Sequence, residues 1–99
     1  KGFRGSGVLG TWTKWDERPV NIGLSINGQL KQEASTELMV HNVVDLLNHL
    51  KGWYGLESGD LVWTGTPKGV SPMNPGDIVE AWMDNMDGER ISRLRANCK

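Results

Sequence analysis

Apolar residues alternate with small or polar ones over residues 21–26, where Ile22, Leu24 and Ile26 are separated by Gly23 and Ser25. A period of two predicts a strand, and the Asn27-Gly28 pair that follows is the favoured two-residue hairpin turn. The returning arm, Gln29–Glu33, is mostly polar and is expected at a sheet edge or facing water. The period then changes. In residues 42–53, NVVDLLNHLKGW, the residues Val43, Leu46, Leu47, Leu50 and Trp53 recur at steps of three and four and predict one amphipathic helix. Asn42 is placed to cap its start, Asp45 lies near the positive end of the dipole, and Gly52 or Gly55 ends it. Leu61–Thr64 is apolar on both faces, as in a buried strand. A further strand is predicted from Ile78 to Met83, with Val79, Ala81 and Met83 on one face. The Asp87-Gly88 turn then leads into a returning strand over Glu89–Ala96. Residues 1–20 read as loop with one short strand. Five or six short strands and one helix make a mainly β, α+β domain.

A chain of 99 residues supports a single domain, residues 1–99, with a modest core. The formal charge of −1 carries no bias toward nucleic acid or an anionic membrane, so neither is expected as a partner. The basic residues near the end, Arg90, Arg93, Arg95 and Lys99, read as a solvated strand face. No apolar stretch approaches the roughly 20 residues of a spanning helix, and the sequence is read as carrying no signal peptide. The single Cys98 has no internal partner, which fits a reducing, cytoplasmic setting. The opening, KGFRGSGVLG, has no initiating Met and reads as the interior of a longer protein.

Several motifs invite chemistry. Residues 5–10, GSGVLG, match the dinucleotide pattern by letter, but no apolar strand precedes them and no helix follows, so there is nothing to bind a pyrophosphate. His41, Asp45 and His49 stand at four-residue steps, which can hold a metal, although exposed pairs beside an apolar stripe explain them more simply. Five tryptophans in a small domain suggest a stacking platform. Trp53, on the helix stripe, and Trp63, in the expected buried strand, are assigned to the core; Trp12, Trp15 and Trp82 are left open. The stretch SGDLVWTGTPKGVSPMNPGDIV carries two Gly-Asp turns around a Thr64-Gly65-Thr66-Pro67 corner. There Gly65 admits a ligand close to the backbone, Thr66 offers a hydroxyl and Pro67 stiffens the bend. Such a corner suits a carboxylate or enolate oxygen, and an ordinary turn is the competing reading.

Taken together, LESGDLVWTGTPKGV and NPGDIVEAWMDNMDGERISRL resemble the C-terminal part of the fumarylacetoacetate hydrolase family. The likeness extends back through QEASTELM to Lys1-Gly2-Phe3, which is similar to the family's K-x-F. It implies a mixed β-roll, of which this chain is the C-terminal part, and a homodimer. It also implies a cleft holding Mg²⁺, Mn²⁺ or Ca²⁺, and chemistry on 2-oxo or 1,3-dicarbonyl acids. That chemistry spans C–C hydrolysis of acylpyruvates, decarboxylation or tautomerisation of oxaloacetate, and isomerisation of dienoic diacids. A divalent ion chelated by a 2-oxo acid stabilises the enolate formed when a neighbouring bond breaks. The resemblance assigns substrate contact to Thr66, with Gly65 allowing close approach, and assigns Lys1 as a cation for the acid. The family's Glu-x-Glu pair and later Asp, which ligate the metal, are not in this sequence. No catalytic or metal residue is therefore assigned, and no ion is expected on this chain alone. Leu38 and Ser71 stand where the family commonly has Asp and Gly.

Three functions compete: part of a metal-dependent 2-oxo-acid enzyme; a non-catalytic, truncated remnant acting as a small dimerising binding or interaction module; and a tryptophan-rich sugar-binding domain. Exposure of Trp12, Trp15 and Trp82 would favour the last.

Overall fold

The computed structural model of the protein describes residues 2–99. Strands β1 (Asn21–Ile26) and β2 (Gln29–Ser35) form the first hairpin, and β3 (Ile78–Asp84) and β4 (Arg90–Asn97) the second. All pairs are antiparallel, in the order β2-β1-β3-β4. Helix α1 (Val43–Tyr54) and a 3-10 turn at Thr36–Leu38 lie between the hairpins.

The local signals act as their chemistry dictates. Asn27 (φ 51°) and Gly28 (φ 78°) form the β1–β2 turn with both residues left-handed. Asn42 accepts from the Asp45 amide through its side chain at 2.8 Å and caps α1, and Gly55 donates to Lys51 O at the other end. Along α1 the residues Val43, Leu46, Leu47 and Leu50 are half-buried, which is the expected stripe. Trp53 falls off it.

Register places Ile22 opposite Met83, Leu24 opposite Ala81 and Ile26 opposite Val79, and Leu94 and Ala96 pair with Ala81 and Val79 from the other side. One sheet face is therefore aliphatic. On the other face Trp82 lies across Gly23, where an added Cβ would stand 2.3 Å from the indole. Arg90 stacks on the same ring at 4.8 Å and pairs with Asp84 at 2.9 Å, which holds the Asp84 carboxyl below its ordinary pKa through that hydrogen bond.

Three expectations are corrected. Leu61–Thr64 is not a strand: among the described residues, 55–77 contain no regular element, and the sheet has four strands rather than five or six. A short run that is apolar on both faces becomes a strand only with a pairing partner and cover on both faces, and here Leu61 and Trp63 are half to two-thirds exposed. Among the described residues 2–20 the expected short strand is likewise absent, although Thr11 donates its amide to Arg93 O and accepts from the Ser92 hydroxyl at the edge of β4. The tryptophans assigned to the core are not there either. Trp53 is 73% exposed and Trp63 67% exposed, with its ring beside Gly7.

The buried centre is small: Val20, Gly23, Ser25 and Ile26 among the described residues, and none from α1. The chain exposes 7996 Å². A compact monomer of this size exposes about 5,600 Å². Its radius of gyration, 14.5 Å, also exceeds the roughly 13 Å of a compact domain of this length. The aliphatic sheet face, Ile26 apart, and the α1 stripe are only half-buried.

Candidate functional site

The two Gly-Asp echoes are the same turn built twice. In Glu57–Asp60 and in Asn74–Asp77 the Asp amide donates to the carbonyl three residues back, at 3.1 and 3.0 Å. In each, the Asp carboxylate accepts from the amide of the first residue, at 2.9 Å. Gly59 (φ 96°) and Gly76 (φ 93°) occupy the third position, as a type II turn requires. Asp77 does more than close its turn: its other oxygen accepts from Asn27 Nδ2 at 2.9 Å, while Asn27 Oδ1 accepts from the Ile78 amide. The Asn74 amide and the Asn27 side chain together hold the Asp77 carboxyl below its ordinary pKa. The second echo thereby pins the end of the long loop to the β1–β2 hairpin.

Between these anchors, the Thr64–Pro67 corner docks on the sheet edge. The β1–β2 register shifts between Leu24 and Ser25, which face Gln32 and Leu30 respectively, so Lys31 is the extra residue of a bulge. The bulge turns the Lys31 carbonyl outward, and Gly69 nests against it so closely that a Cβ there would overlap the oxygen. With φ at 103°, the position admits glycine alone. The next side chain, Gln32, reaches the corner: its Nε2 donates to Thr66 Oγ1 and to Pro67 O, both at 2.8 Å.

Thr66 itself is exposed, and no atom lies within 4 Å of where a Gly65 Cβ would stand. The corner forms one side of an open groove of about 1210 Å³. Segments 13–20, 33–44 and the corner line it, with Lys68 and Trp15 among the lining residues. The sequence-assigned pair Gly65 and Thr66 is thus presented together at a concave surface with space in front of it. Lys1, the third assigned residue, lies outside the described residues.

Gln32 was missed as a site residue, having been read as part of a solvated arm. Its side-chain contacts span 34 and 35 residues of sequence, which no local pattern encodes. The one available signal was its place in QEASTELM. Thr36 of that motif is structural: its hydroxyl accepts from the Val20 amide at 3.0 Å, and its own amide donates to Val20 O.

The donor set does not fit a divalent cation. Asp60 and Asp77 are committed to backbone amides, and no three His, Cys, Asp or Glu side chains group together among the described residues. A hard cation needs several convergent oxygens. His41, Asp45 and His49 are all exposed, but His41 precedes the Asn42 cap and only Asp45 and His49 lie on α1, with His49 leaning on Trp53 at 5.9 Å between rings. Residues 5–10 adjoin neither a strand nor a helix. Trp12 and Trp15 are exposed, which meets part of the condition for sugar stacking, but Trp82 is occupied by Gly23 and Arg90. The three rings do not form a common platform.

The architecture is an antiparallel sheet with one helix, and a glycine-threonine corner is held at the sheet edge beside an open groove. Comparison with known proteins agrees: Fumarylacetoacetate (FAA) hydrolase C-terminal matches residues 1–98, and the chain belongs to that family. It is 35% identical to an oxaloacetate tautomerase of Mus musculus over 82% of this chain and 37% of the relative. With the oxaloacetate decarboxylase of Dictyostelium discoideum it shares 38% identity over 73% of this chain and 33% of that one. Among solved structures, the 5-carboxymethyl-2-hydroxymuconate delta-isomerase of Mycobacterium smegmatis superposes with a TM-score of 0.76 at 31% identity, over 88% of this chain and 33% of that chain. This chain spans about a third of the length of the curated relatives it matches.

Proposed function

We propose that this chain is the substrate-facing C-terminal wall of an enzyme that processes 2-oxo or 1,3-dicarbonyl acids through an enolate, and that oxaloacetate is the first substrate to test. The observation that carries this reading is the Gly65-Thr66 corner, fastened to β2 by Gln32 and Gly69 and open to the groove. The relatives named as oxaloacetate tautomerase and decarboxylase support the substrate class.

The chemistry assigned to these residues is binding and orientation. The Thr66 hydroxyl donates to a carboxylate or enolate oxygen, and Gly65 allows that oxygen near the backbone. A donor fixed before the substrate arrives stabilises developing negative charge without reorganising. A Mg²⁺, Mn²⁺ or Ca²⁺ ion is proposed for the whole enzyme, and its ligands would come from groups outside this chain. A homodimer is proposed as well, supported by the uncovered apolar surface. No helix among the described residues is long and apolar enough to cross a membrane. Cytoplasmic placement is proposed on the single thiol Cys98, and some relatives bear the word mitochondrial in their names.

The test is a nuclear magnetic resonance titration of the chain with oxalate, an enolate mimic, with and without Mg²⁺. Shifts confined to residues 64–68 and Gln32 are expected in the ~mM range, the affinity that a few hydrogen bonds supply. Saturating oxalate that leaves the corner unmoved overturns the reading. A response that requires Mg²⁺ would instead place the cation's ligands on this chain.

A further inference from the structure

The geometry points to Gln32 as the positioning residue that sets the polarity of the Thr66 hydroxyl, turning its proton away from β2 and toward the groove. The inference deepens the proposed function and rests on it.

One nitrogen of Gln32 makes two contacts with the corner. Pro67 O is a carbonyl and can only accept, so the Gln32 atom facing it must be the NH₂ group. That fixes which end of the amide meets the corner. The same nitrogen lies 2.8 Å from Thr66 Oγ1, so the hydroxyl oxygen receives the second amide proton. With that lone pair engaged, the Thr66 proton is left to point away from Gln32. Thr66 is exposed and lines the groove, so the proton is available to an acceptor there. A threonine hydroxyl is ordinarily ambivalent, donor or acceptor according to its partner. Held in this way it favours an anionic oxygen over a ligand's N–H or O–H. The bond from Gln32 also polarises the hydroxyl and strengthens its donation.

This arrangement explains why the corner docks where it does. The bulge at Lys31 and the nested Gly69 bring the corner down onto β2 at the register where Gln32 can serve both acceptors. A glutamate at position 32 would reverse the polarity, because its carboxylate would take the Thr66 proton for itself and repel Pro67 O.

The experiment is a double-mutant cycle on the chain with Gln32→Glu and Thr66→Val, read as oxalate affinity and as the two side-chain amide proton signals of Gln32. Thr66→Val is expected to weaken oxalate about tenfold, the loss of one hydrogen bond to a charged group. Gln32→Glu is expected to cost at least fivefold more in the wild-type background than in the Thr66→Val background, since the cycle subtracts the plain repulsion of the added charge. Without ligand, Thr66→Val should shift one Gln32 amide proton and leave the other, held by Pro67, in place.

If Thr66→Val weakens oxalate but Gln32→Glu costs the same in both backgrounds, the role of Gln32 is overturned and the proposed function stands. If Thr66→Val leaves oxalate affinity unchanged, both fall. Should the wild-type chain bind no oxalate, the function reading fails by itself, and the amide signals decide the Gln32 inference. Two signals at free-amide positions, unmoved by Thr66→Val, overturn it.

Discussion

Ser71 carries a hydroxyl that is shut off from solvent and has no hydrogen-bond partner. An unsatisfied buried polar group costs about 1–3 kcal/mol. Ser71→Ala should therefore raise stability by about 1 kcal/mol, seen as a higher melting temperature. An unchanged or lower midpoint would mean that the hydroxyl finds a partner in solution. Asp77 gives the complementary case, a polar group with every oxygen engaged. Its folded pKa lies below the ordinary carboxylate value of about 3.9, first through the Asn74 amide and then through Asn27. A depressed carboxylate contributes stability that is present above the unfolded pKa and lost as pH falls through the folded one. The melting temperature of the wild type should thus drop below about pH 4 with a component missing from Asp77→Asn. Parallel pH profiles for the two proteins would remove Asp77 from the acid response. The pairing of Asp77 with Asn27 spans 50 residues and was not legible, whereas its turn with Asn74 was, because that contact is local.

At the level of elements, β1 and β3 meet through a glycine and a tryptophan. The Gly23 position leaves 2.3 Å between a prospective Cβ and the Trp82 indole, flanked by the ladder on both sides. Gly23→Ala must push the ring off the sheet and away from Arg90. The expected cost is about 1–3 kcal/mol, typical of forcing extra atoms into a packed contact. Loss of the near-ultraviolet circular dichroism of Trp82, together with a lower denaturation midpoint, would register it. A neutral substitution would show that the indole is not seated there. In the sequence, Gly23 was visible only as a small residue in an alternating strand, and Trp82 had no assigned place. Their pairing is a matter of register between strands 59 residues apart, which the cross-strand partners fix. The helix was the opposite case. Asn42, the 43-46-47-50 stripe and Gly55 all act within a turn or two of their own positions, so spacing sufficed to find them.

The whole molecule exposes more surface than a compact chain of its size requires, and its large apolar residues are part of the excess. Trp12, Trp53 and Trp63 are each about 70% exposed. The isolated chain should bind a hydrophobic dye and run as a dimer or larger species in light scattering at ~10 μM, dissociating on dilution. A stable interface of standard size buries about 800 Å² per partner, and the excess surface is ample for it. A monomer without dye binding would show that the apolar surface closes on itself in solution.

Hydrophobic period, caps and turn residues specify the two hairpins, the helix and the twin Gly-Asp turns, because each of these is settled by partners a few residues away. The corner's residue types, Gly65, Thr66 and Pro67, were likewise plain in the chain. Their function as a presented site was not. It depends on a bulge at Lys31, on Gly69 fitting beneath a carbonyl, and on Gln32 reaching across from another strand. The same limit explains the misplaced strand at Leu61–Thr64 and the tryptophans wrongly assigned to the core. Apolar character is a property of a residue, but burial is a property of its neighbours, and those neighbours are chosen by contacts between distant segments.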